Sequence, residues 1–419
     1  MKIAKLIAYE ILASGGYPTV EVKVTLDTGS VGVASVPYGA SAGTHEATVL
    51  TDGDMSRWNG QGNLTVISNI LNEILPTITN IPAENQVEID TAMIRLDGTV
   101  NKARLGGNAI LAVSLAVARA VANANRMPLY KYIMQTYGLI TDLTKLPQPM
   151  VVVIEGGKHA DETTDFQEFC ITAKEGGSVT ENIRKALETY HQLKKILKAS
   201  KLSTNVGNEG AFAPNGIPTN EAPFEYIVQA ITKAGFTPGK ELGISVDAAA
   251  SEFFNGNYEL KLEGRQFTGE ELINYYSELL DKYPFVSLED LLAEDDWDNW
   301  VALNKLLKEK GIKHIGDDLT VTNISRLRKA IELDAITGII IKPNQIGTLS
   351  ETVACCKIAN EHGLITITSH RGGGETNDHF ISDLAVAVGS AYVKVGPTRG
   401  ERVSKYNRLM EIERELQQN

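Results

Sequence analysis

Cysteine is nearly absent: Cys170, Cys355 and Cys356 are the only three in 419 residues. Three, so spaced, cannot make a disulfide framework, and each sits in an apolar pattern that predicts a buried, reduced thiol. Long hydrophobic runs are missing too. The longest, such as Met150 to Ile154, have the length of a strand and fall far short of the roughly 20 residues that span a bilayer. The opening Met1-Lys2-Ile3-Ala4-Lys5 lacks the apolar core and small-residue cleavage site of a secretory signal. Positive charge is outweighed: 40 Lys and Arg against 52 Asp and Glu give a formal net charge of −12. Basic runs do not exceed two residues, apart from helical stretches such as Lys194-Lys195-Ile196-Leu197-Lys198. Neither a nucleic acid nor a membrane is therefore an expected partner. No segment is of low complexity. The absences together predict a cytoplasmic protein.

What is present is an ordinary globular composition, 43% hydrophobic and 22% charged, in a chain long enough for a barrel plus an extra domain. Residues 17–27 alternate apolar and polar with many β-branched side chains, and 30–36 form a second such run, which predicts strands. A loop follows at Pro37-Tyr38-Gly39-Ala40-Ser41-Ala42-Gly43. From about 61 to 138 the period is helical, and 107–125 is Ala-rich and apolar nearly all round, as a buried helix should be. Residues 1–138 thus read as an α+β domain. After a connector at 139–149, short apolar runs alternate with amphipathic helices through 139–419, which predicts a (β/α)8-type barrel of parallel strands.

Six of the later apolar runs end in a charged or polar residue: Asp247, Glu289, Asp317, Lys342, His370 and Lys394. The last five are 28, 25, 28 and 24 residues apart, one βα unit each. In a barrel these residues gather at the C-terminal face, where catalytic groups belong. A single Asp at a strand end is often only a helix N-cap. Three acids at consecutive strand ends would repel one another unless a cation lay between them, and oxygen donors suit Mg²⁺ or Mn²⁺. Neither the cysteines nor the histidines have a zinc-like spacing.

Lys342 at a strand end is expected to face that cation in a desolvated pocket, both of which lower its pKa and free it as a base. The alternative is an ion pair with one of the acids. Glu209 lies in the Gly-flanked segment Asn205-Val206-Gly207-Asn208-Glu209-Gly210, where a carboxylic acid kept protonated would serve as general acid. Metal, lysine base and glutamic acid together define proton abstraction next to a carboxylate, followed by loss of a β-leaving group, or a simple racemisation where no leaving group is present.

Along almost its whole length the sequence resembles the enolase (phosphopyruvate hydratase) family. The resemblance is carried by Gly39-Ala40-Ser41, Leu96-Asp97-Gly98-Thr99, Gln167-Glu168-Phe169, Val286-Ser287-Leu288-Glu289-Asp290, Gly316-Asp317-Asp318-Leu319, Asn344-Gln345-Ile346-Gly347 and Ser369-His370-Arg371. It implies an α+β cap on a TIM-type barrel and a hydro-lyase that interconverts 2-phosphoglycerate and phosphoenolpyruvate with two Mg²⁺ ions per site. By the same resemblance Asp247, Glu289 and Asp317 would hold the first Mg²⁺ and Ser41 the second. Lys342 would be the base and Glu209 the acid, with Glu168 positioning Glu209 or raising its pKa. His159 would close over the substrate, His370 and Arg371 would bind it, and Lys394 would neutralise its carboxylate.

The sequence departs from the family pattern in several places. Ala13-Ser14-Gly15 and Tyr17 replace the first-loop Asp-Ser-Arg and Asn, Glu155 an Asn, Asn208 an Asp, and Gly372 the Ser after the phosphate-binding Arg. These changes leave open a paralogue acting on a related phospho- or phosphono-carboxylate, and a catalytically silent scaffold. Enolases commonly dimerise through ion pairs, but Glu21 and Glu411, and Tyr9 and Glu401, stand where partners of opposite charge are usual. The expectation remains a homodimer, built on apolar contacts, or a shifted oligomer.

Overall fold

The computed structural model describes residues 1–39, 43–174 and 176–418. The chain opens with an antiparallel sheet of β1 (Ile3–Leu12), β2 (Pro18–Leu26) and β3 (Val31–Ser35), in that order. In β2 the alternation is strict: Val20, Val22, Val24 and Leu26 are buried against the helices. The reading from sequence missed β1, because a bulge between Ile3 and Lys5 and a half-exposed face blur its alternation.

The helix Gly107–Ala124 packs across this sheet. At Gly32 an added Cβ would lie 2.2 Å from the Ala116 carbonyl oxygen, so strand and helix meet backbone to backbone, which only glycine permits. Among the described residues this helix alone is long and apolar enough to cross a membrane, yet 83% of it is buried inside the fold. Its apolar surround is a protein core.

The barrel strands are β4 (Gln148–Glu155), β5 (Glu168–Ala173), β6 (Leu242–Asp247), β9 (Phe285–Glu289), β10 (Lys313–Gly316), β11 (Gly338–Ile341), β12 (Ile365–Ser369) and β13 (Tyr392–Val395). They close into one eight-stranded barrel, β13 pairing with β4. A small hairpin, β7 (Tyr258–Leu260) and β8 (Arg265–Phe267), stands apart from it. Met150, Val152, Cys170, Val286, Ile315, Ile340, Ile367 and Tyr392 fill the interior. All three cysteines are buried and free.

One expectation is corrected. The barrel is not wholly parallel: β5 runs antiparallel to both β4 and β6. A loop whose only helical turn is Gly157–His159 joins β4 to β5. Without a covering helix the chain returns as a hairpin, since parallel neighbours need a crossover. The consequence is chemical. Glu168, the first residue of β5, pairs in register with Glu155 on one side and Asp247 on the other. An antiparallel strand thus delivers its N-terminal residue to the face where the other strands end.

The two parts meet through several contacts. Arg119 of the helix Gly107–Ala124 pairs with Asp378, the Ser350 N–H donates to Asp90 at 3.0 Å, and the Ala47 N–H donates to the Gln345 carbonyl at 2.7 Å. The last contact fixes the segment that carries Glu46 over the barrel mouth.

Candidate active site

Asp247 ends β6, Glu289 ends β9 and Asp317 follows β10, three neighbouring strands. All three side chains are buried, and one carboxylate oxygen from each lies within 4.8 Å of the others. The helix-cap alternative does not hold for Asp317. The next helix, Ile324–Glu332, is capped by the Asn323 side chain, while Asp317 accepts from Gln345 Nε2 at 2.8 Å and pairs with Lys342.

Lys394, inside β13, reaches into the same cluster. Its Nζ lies 2.7 Å from Glu168, 2.7 Å from Glu289 and 3.3 Å from Asp247. Four buried carboxylates therefore face two ammonium groups, Lys342 and Lys394. A buried surplus of negative charge on oxygen donors fits a hard divalent cation. Burial, reinforced by the Asp247 charge, pushes the Glu289 carboxyl well above its ordinary range, as an uncompensated cluster requires.

Lys342 follows β11 and stands in contact with Asp317. Burial favours the neutral amine, but the Asp317 carboxylate in contact outweighs it, and the pKa rises. The ion-pair alternative describes the ion-free protein. The expectation of a protonated Glu209 is corrected. Burial and the Glu168 charge push its carboxyl up, yet the imidazoles of His370 and His159 prevail, and it is held below its usual value. Its Oε1 is 3.3 Å from His370 Nε2 and 3.6 Å from His159 Nδ1. Glu168 Oε1 is 3.3 Å from His159 Nδ1. Burial opposes ionisation of Glu168, but Lys394 and then His159 take it well below its ordinary value.

Arg371, buried at the mouth, pairs with Glu46, whose two carboxylate oxygens each lie 2.9 Å from a guanidinium nitrogen. Sequence reasoning passed over Glu46, which has no apolar strand before it to mark it. It passed over Asp290 as well. Asp290 accepts the N–H groups of Asp317 and Asp318 at 3.0 and 2.7 Å and holds a left-handed φ of 45°, a strained conformation typical of functional sites. The doubled acids Glu289-Asp290 and Asp317-Asp318 were the available signal. Ser41 lies outside the described residues.

His159, Glu168, Glu209, Asp247, Asp317, Lys342, His370 and Arg371 line one cleft. The substituted loops meet beside it. Ser14 exchanges two hydrogen bonds with Glu375, at 2.8 and 3.0 Å. The Tyr38 N–H donates to the Gly374 carbonyl, and the Tyr17 and Tyr38 rings stack with centroids 5.1 Å apart. An added Cβ at Gly372 would lie 2.6 Å from Glu209 Oε1 and 2.7 Å from His159 Cε1.

Comparison with known proteins gives a consistent result. Residues 3–133 match the family described as "Enolase, N-terminal domain", and residues 143–419 match "Enolase, C-terminal TIM barrel domain". Two curated relatives, each named "Enolase 2", from Pseudomonas syringae pv. tomato and Pseudomonas syringae pv. syringae, are 48% identical to this chain over 418 residues. The alignments cover 99% of this chain and 96% of each relative.

Proposed function

The chain belongs to the enolase family, a family of lyases, and we propose that it reversibly dehydrates 2-phosphoglycerate to phosphoenolpyruvate with Mg²⁺. The observation that carries this reading is the convergence of Asp247, Glu289 and Asp317 beside Lys342 in one buried cluster.

A proton next to a carboxylate is weakly acidic because its removal places a second negative charge on that group. Asp247, Glu289 and Asp317 would hold Mg²⁺, and the bound ion would supply the charge that offsets it. Lys342 takes the C2 proton. It must be neutral to do so, and burial favours that form once the Asp317 charge is engaged elsewhere. Glu209, which must carry a proton to act, gives it to the C3 hydroxyl, which leaves as water while the C2 electron pair forms the double bond. Glu168 and His159 set the charge around Glu209. Arg371 binds the phosphate end, His370 contacts the substrate, and Lys394 meets the substrate carboxylate. Ser41 is the candidate ligand for a second Mg²⁺.

We further propose a domain boundary at 138/139, a homodimer and a cytoplasmic location. Within this chain Tyr9 donates its hydroxyl to Glu21 and Glu411 pairs with Arg408. Neither acid is therefore left as a bare charge at such an interface.

The test is to incubate the protein with 2-phosphoglycerate and Mg²⁺ and follow the conjugated product in the ultraviolet. Turnover that Lys342→Ala abolishes supports the reading. A second reading, a related phospho- or phosphono-carboxylate as substrate, is favoured by Gly372, which carries no hydroxyl at the position after Arg371. Background turnover of 2-phosphoglycerate, with C2 deuterium exchange on such an analogue, would establish that reading instead.

A further inference from the structure

The loop that carries Glu209 is held by its backbone from two sides. On one side stands Glu155, the last residue of β4, wholly buried. Its Oε1 accepts the N–H groups of Glu209 at 3.0 Å and Ala211 at 2.8 Å, and its Oε2 accepts from Glu209 at 3.0 Å. On the other side the chain after β13 supplies donors. The Thr398 hydroxyl donates to the Gly210 carbonyl at 2.7 Å, and Arg399 donates to the carbonyls of Gly207 at 2.7 Å and Asn208 at 3.2 Å. The fit is close: an added Cβ at Gly207 would lie 2.5 Å from Glu155 Oε2, and one at Gly210, where φ is +82°, 2.5 Å from Thr398 Oγ1.

Glu209 itself has little hold on its own position. Its Oε2 is buried without a hydrogen-bond partner among the described residues, and its Oε1 meets only the imidazoles at ion-pair distance. Where its carboxyl sits is therefore set by its backbone. We infer that Glu155 is a positioning residue for Glu209, its carboxylate clamping the amides of residues 209 and 211 so that the acid meets the departing hydroxyl. The inference rests on the proposed dehydration. Burial and the Glu209 charge push the Glu155 carboxyl up to about 8, so both oxygens grip fully only above that pH and the neutral form holds more weakly below it. A neutral acid still accepts through its carbonyl oxygen, but its hydroxyl cannot accept an amide N–H as a carboxylate oxygen does.

The test uses the full chain with Mg²⁺ and three readouts. Without substrate, Glu155→Gln is expected to speed amide hydrogen exchange at Glu209 and Ala211 about tenfold, leaving β6 and β9 unchanged. With 2-phosphoglycerate, its elimination rate should fall roughly 10- to 100-fold, the range that follows from displacing a catalytic group by about an ångström. C2 proton exchange, the work of Lys342, should stay within about threefold of the parent. Glu155→Asp should show the same split at smaller size and remains readable where Glu155→Gln does not fold. Unchanged amide exchange, or equal losses in elimination and C2 exchange, would overturn the inference. A parent protein inert towards 2-phosphoglycerate would overturn the dehydration reading, and the amide-exchange readout would still decide the clamp.

Discussion

Removing the Lys394 ammonium while keeping an unbranched apolar stem tests the charge balance of the site directly. In the ion-free protein this ammonium contacts Glu168, Asp247 and Glu289 at 2.7 to 3.3 Å, with all four groups buried. Lys394→Met leaves those carboxylates uncompensated, and breaking a buried pair in this way costs about 3–5 kcal/mol. An unfolding entropy of about 2.1 cal/mol/K per residue, over 419 residues, gives about 0.9 kcal/mol/K, so the melting temperature should drop by about 3–6 °C. Calorimetry in a chelator at pH 8 measures this. Mg²⁺ at about 100 times its Kd adds about 2.7 kcal/mol to the parent, roughly 3 °C. The variant should gain more than that from Mg²⁺, because the ion then supplies charge that the lysine no longer does. A variant as stable as the parent in chelator, or one that gains less from Mg²⁺, would refute the argument that the acids carry unbalanced charge.

Two further outcomes follow from the geometry. Gly372→Ser places atoms where Glu209 Oε1 and the His159 ring now lie, within 2.8 Å of an added Cβ. Displacement of that order should cost about 10²-fold in kcat/KM on 2-phosphoglycerate, and kinetics within threefold of the parent would contradict it. The His159 imidazole is raised to about 9 from its ordinary 6.5, burial opposing and the charges of Glu209 and Glu168 prevailing. Its folded value exceeds its unfolded one, so its stabilising contribution is whole below pH 6.5 and is lost as pH climbs through about 9. The melting temperature of the metal-free protein should fall across that window, and His159→Gln should flatten the fall.

How far the site could be read from sequence depended on what each residue costs where it stands. Glu289, Asp317, Lys342 and Lys394 were legible because a charge at the end of a short apolar run is expensive, and a barrel gives all such charges one place to meet. The direction of β5 was not legible. A buried strand is apolar whichever way it runs, and only the helix-free loop before it signalled a hairpin. Glu46 was hidden because its partner Arg371 lies 325 positions away. The protonation of Glu209 was not legible for a related reason: its direction is decided by contacts with His370 and His159, which no spacing encodes.

Those contacts divide the labour of the site. On one flank, carboxylates surround lysines, and whether Lys342 is an acceptor of protons turns on how much of the Asp317 charge it feels. On the other flank, imidazoles surround Glu209, and the acid is ionised until something changes that balance. Each group must change its charge before it can act as base or acid. The two flanks share Glu168, which touches Lys394 at 2.7 Å and His159 at 3.3 Å. It can do so only because β5 runs backwards and sets its first residue between β4 and β6. The single antiparallel strand is therefore what couples the base's surroundings to the acid's, and a charge placed on one flank is felt on the other through that carboxylate.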